Sequence, residues 1–245
     1  MKLAQIWRYP IKSHGSEHLE TIDIHNGKTL PLDRNWAVVH EQSDVDGSNW
    51  VPCRNFSRVA KAPQLAAIST TWTPNKKLKL SHPSLGTICI NPDSDSDDFI
   101  NWVSPLIPEG RAASRKLVRS IQTGMTDTNF PSISIGNLAS HREVEKQVGE
   151  KLSLLRWRCN LWIDGCKPWD ENKWIGKNLK IGDATFKIEE KIVRCRATTA
   201  NPKSGLRDID TLEALDSLGQ EDFTVAATAT SMGQIKSGDP VEVSS

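Results

Sequence analysis

These 245 residues contain no Cys-x-x-Cys pair, no Gly-x-Gly-x-x-Gly fingerprint, no Walker phosphate loop, no Gly-x-Ser-x-Gly elbow and no His-Glu-x-x-His. A conventional zinc site, a nucleotide-binding motor, a serine hydrolase and a direct dinucleotide-dependent enzyme all lose their usual carriers. No apolar run approaches the roughly 20 residues that span a bilayer, and Met1 to Arg8 lacks the apolar core of a signal peptide. The cysteines, Cys53, Cys89, Cys159, Cys166 and Cys195, are odd in number, so the expectation is reduced thiols in a cytoplasmic protein. Lys plus Arg number 31 against 30 Asp plus Glu, which removes any global bias toward nucleic acid or anionic lipid. A single tyrosine stands against nine tryptophans, most of which are expected in the core or in pocket walls.

What is present reads as mainly β with a few short helices. Lys2 to Tyr9, Trp36 to His40, Leu65 to Trp72, Leu78 to Leu80 and Thr87 to Ile90 are strand-like runs at close spacing, the pattern of a sandwich or barrel. Asn91 to Asp98 is an acidic run. A calcium loop counted from Asp93 would need glycine and glutamate where Asp98 and Ser104 stand, so a solvated loop and a soft boundary between 1–95 and 96–245 are predicted. Ser140-His141-Arg142-Glu143 has the form of a capping box, predicting a helix that stops near Gly149. Asn137 and Ser140 would lie at its N-terminus, where free N–H groups favour an anion. A plain capped helix accounts for the same residues.

Leu155 to Ile163 reads as one strand. Alternation puts Leu155, Trp157, Cys159, Leu161 and Ile163 on a core face and Arg156, Arg158, Asn160, Trp162 and Asp164 on the other. Two guanidiniums beside an amide need solvent or an anion. Trp162 among them points to an anion pocket with an aromatic wall. Further on, Cys195 sits between Arg194 and Arg196 at the end of a strand-like run, ahead of an Asn201-Pro202-x-x-Gly205 turn. Adjacent guanidiniums favour thiolate, the form that attacks or ligates a metal. A half-buried structural cysteine with exposed arginines explains the same pattern.

The run Arg156-Trp157-Arg158-Cys159-Asn160-Leu161 resembles the R-x-R-x-N-L strand of the MOSC family, named after molybdenum cofactor sulfurase. Arg194-Cys195 with Thr198-Thr199 resembles its R-C-x-x-T-T segment. Tyr9-Pro10-Ile11-Lys12-Ser13 and Asp33-Arg34-Asn35-Trp36 resemble the Y-P-x-K-S and D-R-x-W motifs of the β-barrel domain that precedes it. Ile235 to Val243 resembles the closing I-x-x-G-D-x-V-x-V. These run in the family's order over nearly the whole chain.

The resemblance implies an N-terminal β-barrel-like domain (1–95) packed on a MOSC β-barrel domain (96–245), with molybdenum cofactor between them. It implies Cys195 as metal ligand and catalytic residue. It places Lys12, Ser13, Arg34, Arg156, Arg158 and Asn160 on the pterin and its phosphate, joined by Asn137, Ser140, Arg194, Thr198 and Thr199. The implied activity is reduction of small N-hydroxylated substrates, such as amidoximes, hydroxylamines and N-hydroxylated bases. Electrons would come from a separate ferredoxin- or cytochrome-type protein with its reductase, since no cysteine follows Cys195 to hold a cluster. No nucleic acid or membrane partner is implied. A non-catalytic carrier of cofactor or persulfide, and a cofactor-free anion-binding module, remain as alternatives. The chain departs from the pattern at Cys159, where proline is common, and at Val193-Arg194, where the eukaryotic reductases carry Ser-Arg.

Overall fold

The computed structural model describes residues 1–121 and 123–244. The first half of the chain forms β1 (Lys2–Arg8), β2 (Glu17–Leu19), β3 (Thr21–Ile24), β4 (Trp36–His40), β5 (Ser69–Trp72), β6 (Leu78–His82) and β7 (Gly86–Ile90). Helix α1 (Ser96–Val103) and β8 (Ser114–Arg119) follow. The second half forms β9 (Ile133–Asn137), α2 (Leu138–Val148), β10 (Leu161–Asp164), β11 (Asn178–Ile181) and β12 (Ala184–Val193). It ends with α3 (Thr211–Ser217), β13 (Asp222–Ala229), β14 (Gly233–Lys236) and β15 (Val241–Ser244). Among the described residues no helix is long and apolar enough to cross a membrane.

The mainly β class holds, and one sheet dominates. Its strand order is β15-β11-β12-β13-β9-β10-β1-β2, with β9 and β10 parallel and the other pairs antiparallel. The sheet curls until β1 meets the approach to β15. Leu3 N–H bonds to Asp239 O at 2.9 Å, Gly238 N–H to Leu3 O at 2.7 Å and Val241 N–H to Met1 O at 3.0 Å. These contacts draw the curl together without a continuous ladder closing it into a barrel.

Alternation explains what fills the curl. On β12, Ala184, Phe186 and Ile188 are fully buried, packed with Leu3, Ile6, Leu161 and Ile163. Burying Phe186 contributes about 2–3 kcal/mol. On β1 strict alternation would not bury both Leu3 and Ile6; a register shift between Leu3 and Gln5 turns both inward. Beyond Ile188, β12 runs out of the core past two further register irregularities, and Val193 near its end is 71 % exposed. That overhang delivers Cys195. A second core, with Trp36, Leu65, Leu80, Phe99 and Leu117, gathers β4–β8, β5–β6–β7 and α1.

Local expectations change in three places. Leu65 to Trp72 divides into a 3₁₀ turn, Pro63–Ala67, and β5. Helix α2 begins at Leu138, capped by the Asn137 side chain, which accepts from Ala139 N–H at 2.8 Å. Ser140 is therefore inside the first turn, and the capping box does not form; the helix does end at Gly149, in the left-handed region at φ +78°. Leu155 to Ile163 is not one strand. Leu154–Trp157 is a 3₁₀ turn, Arg158 closes it at φ +49°, and β10 starts only at Leu161. Trp162 is fully buried against Trp157 and Phe223 in the layer under α2 and α3, so it is core rather than a pocket wall.

Candidate functional site

A cavity of about 180 Å³ opens where the turn after β1, the segment before β4, the loop before β9, the 3₁₀ turn ending at Arg158 and the end of β12 converge. Lys12, Ser13 and Arg34 line it from the first half of the chain. Arg156, Arg158, Asn160, Arg194, Cys195 and Thr198 line it from the second. Three of these, Ser13 (φ 66°), Arg34 (φ 49°) and Arg158 (φ 49°), adopt the left-handed backbone that side chains other than glycine rarely take. Such strain persists where the surrounding contacts over-determine it.

Those contacts centre on Tyr9. Two guanidiniums pack on its ring, with Arg158 Cζ 4.4 Å and Arg34 Cζ 5.0 Å from the ring centroid. Its hydroxyl donates to Cys159 O at 3.0 Å, and burial pushes the phenol well above its usual range. Arg34 pairs with the buried Asp33 and donates to Arg158 O at 2.8 Å. Asp33 in turn accepts from the Tyr9 N–H at 2.8 Å. Arg158 donates one N–H to Gly15 O at 3.3 Å, while its Nη2 is buried without a partner. Burial, with the neighbouring Arg34 charge, pushes its guanidinium down to about 10.

The other cations are occupied differently. Arg156 Nη2 donates to both carboxylate oxygens of Asp208, each at 2.7 Å, and Nε is left buried and unpartnered. Arg194 donates to Phe223 O at 2.6 Å, to Trp157 O at 2.8 Å and to the Thr224 hydroxyl. It braces the approach to Cys195, and burial pushes it down to about 10. Asn160 is also spent on protein: its Oδ1 accepts from Ser134 Oγ at 2.8 Å and its Nδ2 donates to Trp7 O at 3.1 Å.

The thiols of the two motif segments, Cys195 and Cys159, differ in kind. Cys195 is exposed at the cavity, and its carbonyl accepts from Thr198 N–H and Oγ1, each at 3.1 Å, at the start of the 3₁₀ turn Arg196–Thr199. Cys159 is fully buried, and desolvation pushes its thiol up to about 12. Of these two, Cys195 is the one available to ligate or react; Cys53, half-buried, also lines the cavity, its Sγ accepting from Arg58 at 3.2 Å.

Asn137, Ser140 and Thr199 do not line the cavity. Asn137 Nδ2 donates to Lys167 O and to the buried Glu171, each at 2.7 Å, and Ser140 Oγ accepts from Trp169 N–H at 2.8 Å. They fasten the loop after β10 to α2. Thr199 Oγ1 donates to Arg196 O at 3.0 Å and accepts from Arg207. The structure adds to the lining Asp127, Cys53, Arg58, Ser132 and Ser134. No spacing pattern singles these out; Tyr9, the support of both guanidiniums, was visible only as part of its motif.

Family models match in two consecutive segments: the MOSC N-terminal beta barrel domain over residues 1–108 and the MOSC domain over residues 127–242. The chain belongs to the MOSC family. Mitochondrial amidoxime-reducing component 1 of Mus musculus is 21 % identical over 84 % of this MOSC chain and 67 % of its own length. Mitochondrial amidoxime reducing component 2 of Rattus norvegicus is 22 % identical over 98 % of this chain and 82 % of its own. The crystal structure of the YuaD protein from Bacillus subtilis shares the fold, with TM-score 0.52 at 12 % identity over 99 % of this chain and 94 % of that one.

The MOSC family is associated with molybdenum cofactor, and the residues present fit such a group. A soft, open thiol suits molybdenum. The orphaned Nη2 of Arg158, and the Lys12 ammonium with two protein acceptors for its three hydrogens, suit an anionic phosphate.

Proposed function

We propose that this chain is a molybdenum-cofactor-dependent oxidoreductase that reduces N-hydroxylated compounds, such as amidoximes, hydroxylamines and N-hydroxylated bases. The observation that carries this reading is one cavity lined by both the exposed Cys195 and Arg158, whose Nη2 is buried without a protein partner. The names of the amidoxime-reducing relatives supply the reaction class. Cys195 would ligate the metal. Lys12, Ser13, Arg158 and Thr198 would hold the pterin phosphate and ring, while Arg34, Asn160 and Arg194 position the strained segments around them. When bound, the cofactor supplies the two-electron chemistry. The balance is R–NH–OH plus two electrons and two protons giving R–NH₂ and water. The electrons come from a separate ferredoxin- or cytochrome-type protein, in a reducing, cytoplasmic setting.

The exposure of Cys195 also suits a carrier that hands cofactor or persulfide sulfur to another protein. Protein purified from a cofactor-making host separates the two. The reductase reading expects molybdenum in the chain and turnover of an aryl amidoxime with reduced viologen. It expects turnover per bound molybdenum to fall at least about 100-fold in Cys195→Ala. Near-native turnover by that variant removes Cys195 from the chemistry. Full molybdenum content with no turnover by the wild type selects the carrier.

A further inference from the structure

Among the described residues the cavity is lined by six cations, Lys12, Arg34, Arg58, Arg156, Arg158 and Arg194, and by one carboxylate, Asp127. The other acids near this cluster point elsewhere. Asp33 is buried in the wall beneath Arg34, and Asp208 takes Arg156 from behind the lining. Asp127 alone among these acids lines the cavity. Its side chain is 75 % exposed to solvent at the cavity, and its Oδ1 accepts from Lys12 Nζ at 2.5 Å. Lys12 is only 4 % exposed, and its other acceptor is Met125 O at 2.7 Å. Asp127 therefore occupies the position at Lys12 that an incoming anion would take.

We propose that Asp127 is a built-in competitor that makes this cavity reject free inorganic phosphate and admit a phosphate group only as part of a larger ligand. The inference rests on the reading of the cavity as an anion site. An unguarded cluster of this charge would take up any abundant oxyanion. An arriving phosphate must instead displace the carboxylate from Lys12 or share the cavity with a like charge. A larger ligand offsets that cost through contacts phosphate lacks, among them the Cys195 thiol and the walls beside it. Specificity is then a difference of affinities built partly from repulsion.

The test uses the full chain, free of cofactor, with inorganic phosphate as probe at constant ionic strength. Calorimetry should show Asp127→Asn binding phosphate about tenfold or more tightly than wild type, since a like charge at such range shifts an equilibrium by a unit or more. Adding Lys12→Met to that variant should abolish the gain. Produced in a cofactor-making host, Asp127→Asn should keep the wild-type ratio of molybdenum and pterin to protein. Equal or weaker phosphate binding by Asp127→Asn overturns the proposal. Loss of molybdenum from a variant that melts like wild type also overturns it, because Asp127 would then be a contact for the ligand. Asp127→Ala is the second variant; if neither folds, Asp127 is structural and the proposal falls. Turnover enters none of these readouts, so the reductase reading and this one fail separately.

Discussion

Arg158 reaches the cavity because its backbone turns left-handed after Trp157 and its guanidinium comes to rest on Tyr9. Arg156, two positions earlier, points its guanidinium at Asp208. Burial alone would raise that carboxyl, but Arg156 and the Asn201 amide hold it below the usual carboxylate range. The two arginines should therefore respond differently to truncation. Arg156→Ala should cost about 1–3 kcal/mol by stranding Asp208, which is a third exposed. Arg158→Ala should melt nearly as wild type and lose most of its molybdenum. Thermal melting and metal content measured on the same samples check both. His14, fully buried, gives a pH signature. Desolvation holds it down to about 4 from the ordinary 6.5. The unfolded chain takes up a proton below about 6.5 that the folded chain refuses until about 4. Its stability contribution is complete above pH 6.5 and declines as pH falls through that window, by ~3 kcal/mol in all. Urea midpoints at pH 7 and pH 5 should thus converge in His14→Gln relative to wild type. Some slope should remain, because burial also lowers His141.

Among the elements, α2 shows how a local motif can be right about a helix and wrong about its start. Ser140-x-x-Glu143 has the capping spacing, yet Asn137 caps, because it ends β9 in extended backbone and its amide is held by Lys167 O and Glu171. Asn137→Ala removes the cap and leaves a buried carboxylate short of a donor, a combined cost of about 2 kcal/mol. Molybdenum per folded chain should not change, since Asn137 lies outside the cavity lining. Co-purified metal falling in proportion faster than folded protein would place it in the site. In helix α3 an acid caps: Asp210 accepts from Leu212 and Glu213 N–H, each at 3.1 Å.

For the whole molecule, the decisive joint is between the loop that carries Cys195 and the first half of the chain. Arg207 donates to Arg196 O at 2.5 Å and to Ala60 O at 2.9 Å, tying the two sides of the cavity mouth. Gly205, at φ +70°, lies so close that a Cβ would sit 2.6 Å from Gln64 Cα. Gly205→Ala should therefore cost ~2 kcal/mol or more, through both backbone strain and overpacking. It should also weaken cofactor retention, read as molybdenum lost on dialysis.

The mainly β class, the stop at Gly149 and the cluster of Lys12, Ser13, Arg34, Arg158 and Cys195 were all legible in the chain, because turns and motifs are written in neighbouring residues. Tertiary structure decided which charges are free. Lys12 meets Asp127 across 115 positions, Arg34 meets the Arg158 carbonyl across 124, and Arg156 meets Asp208 across 52. It also buried Trp162 under two helices and broke the expected Leu155–Ile163 strand at Arg158. Alternation along a chain tells which side chains share a face only while the backbone stays extended. One left-handed residue ends that rule, and the partner of a buried charge is set by whichever distant segment packs beside it.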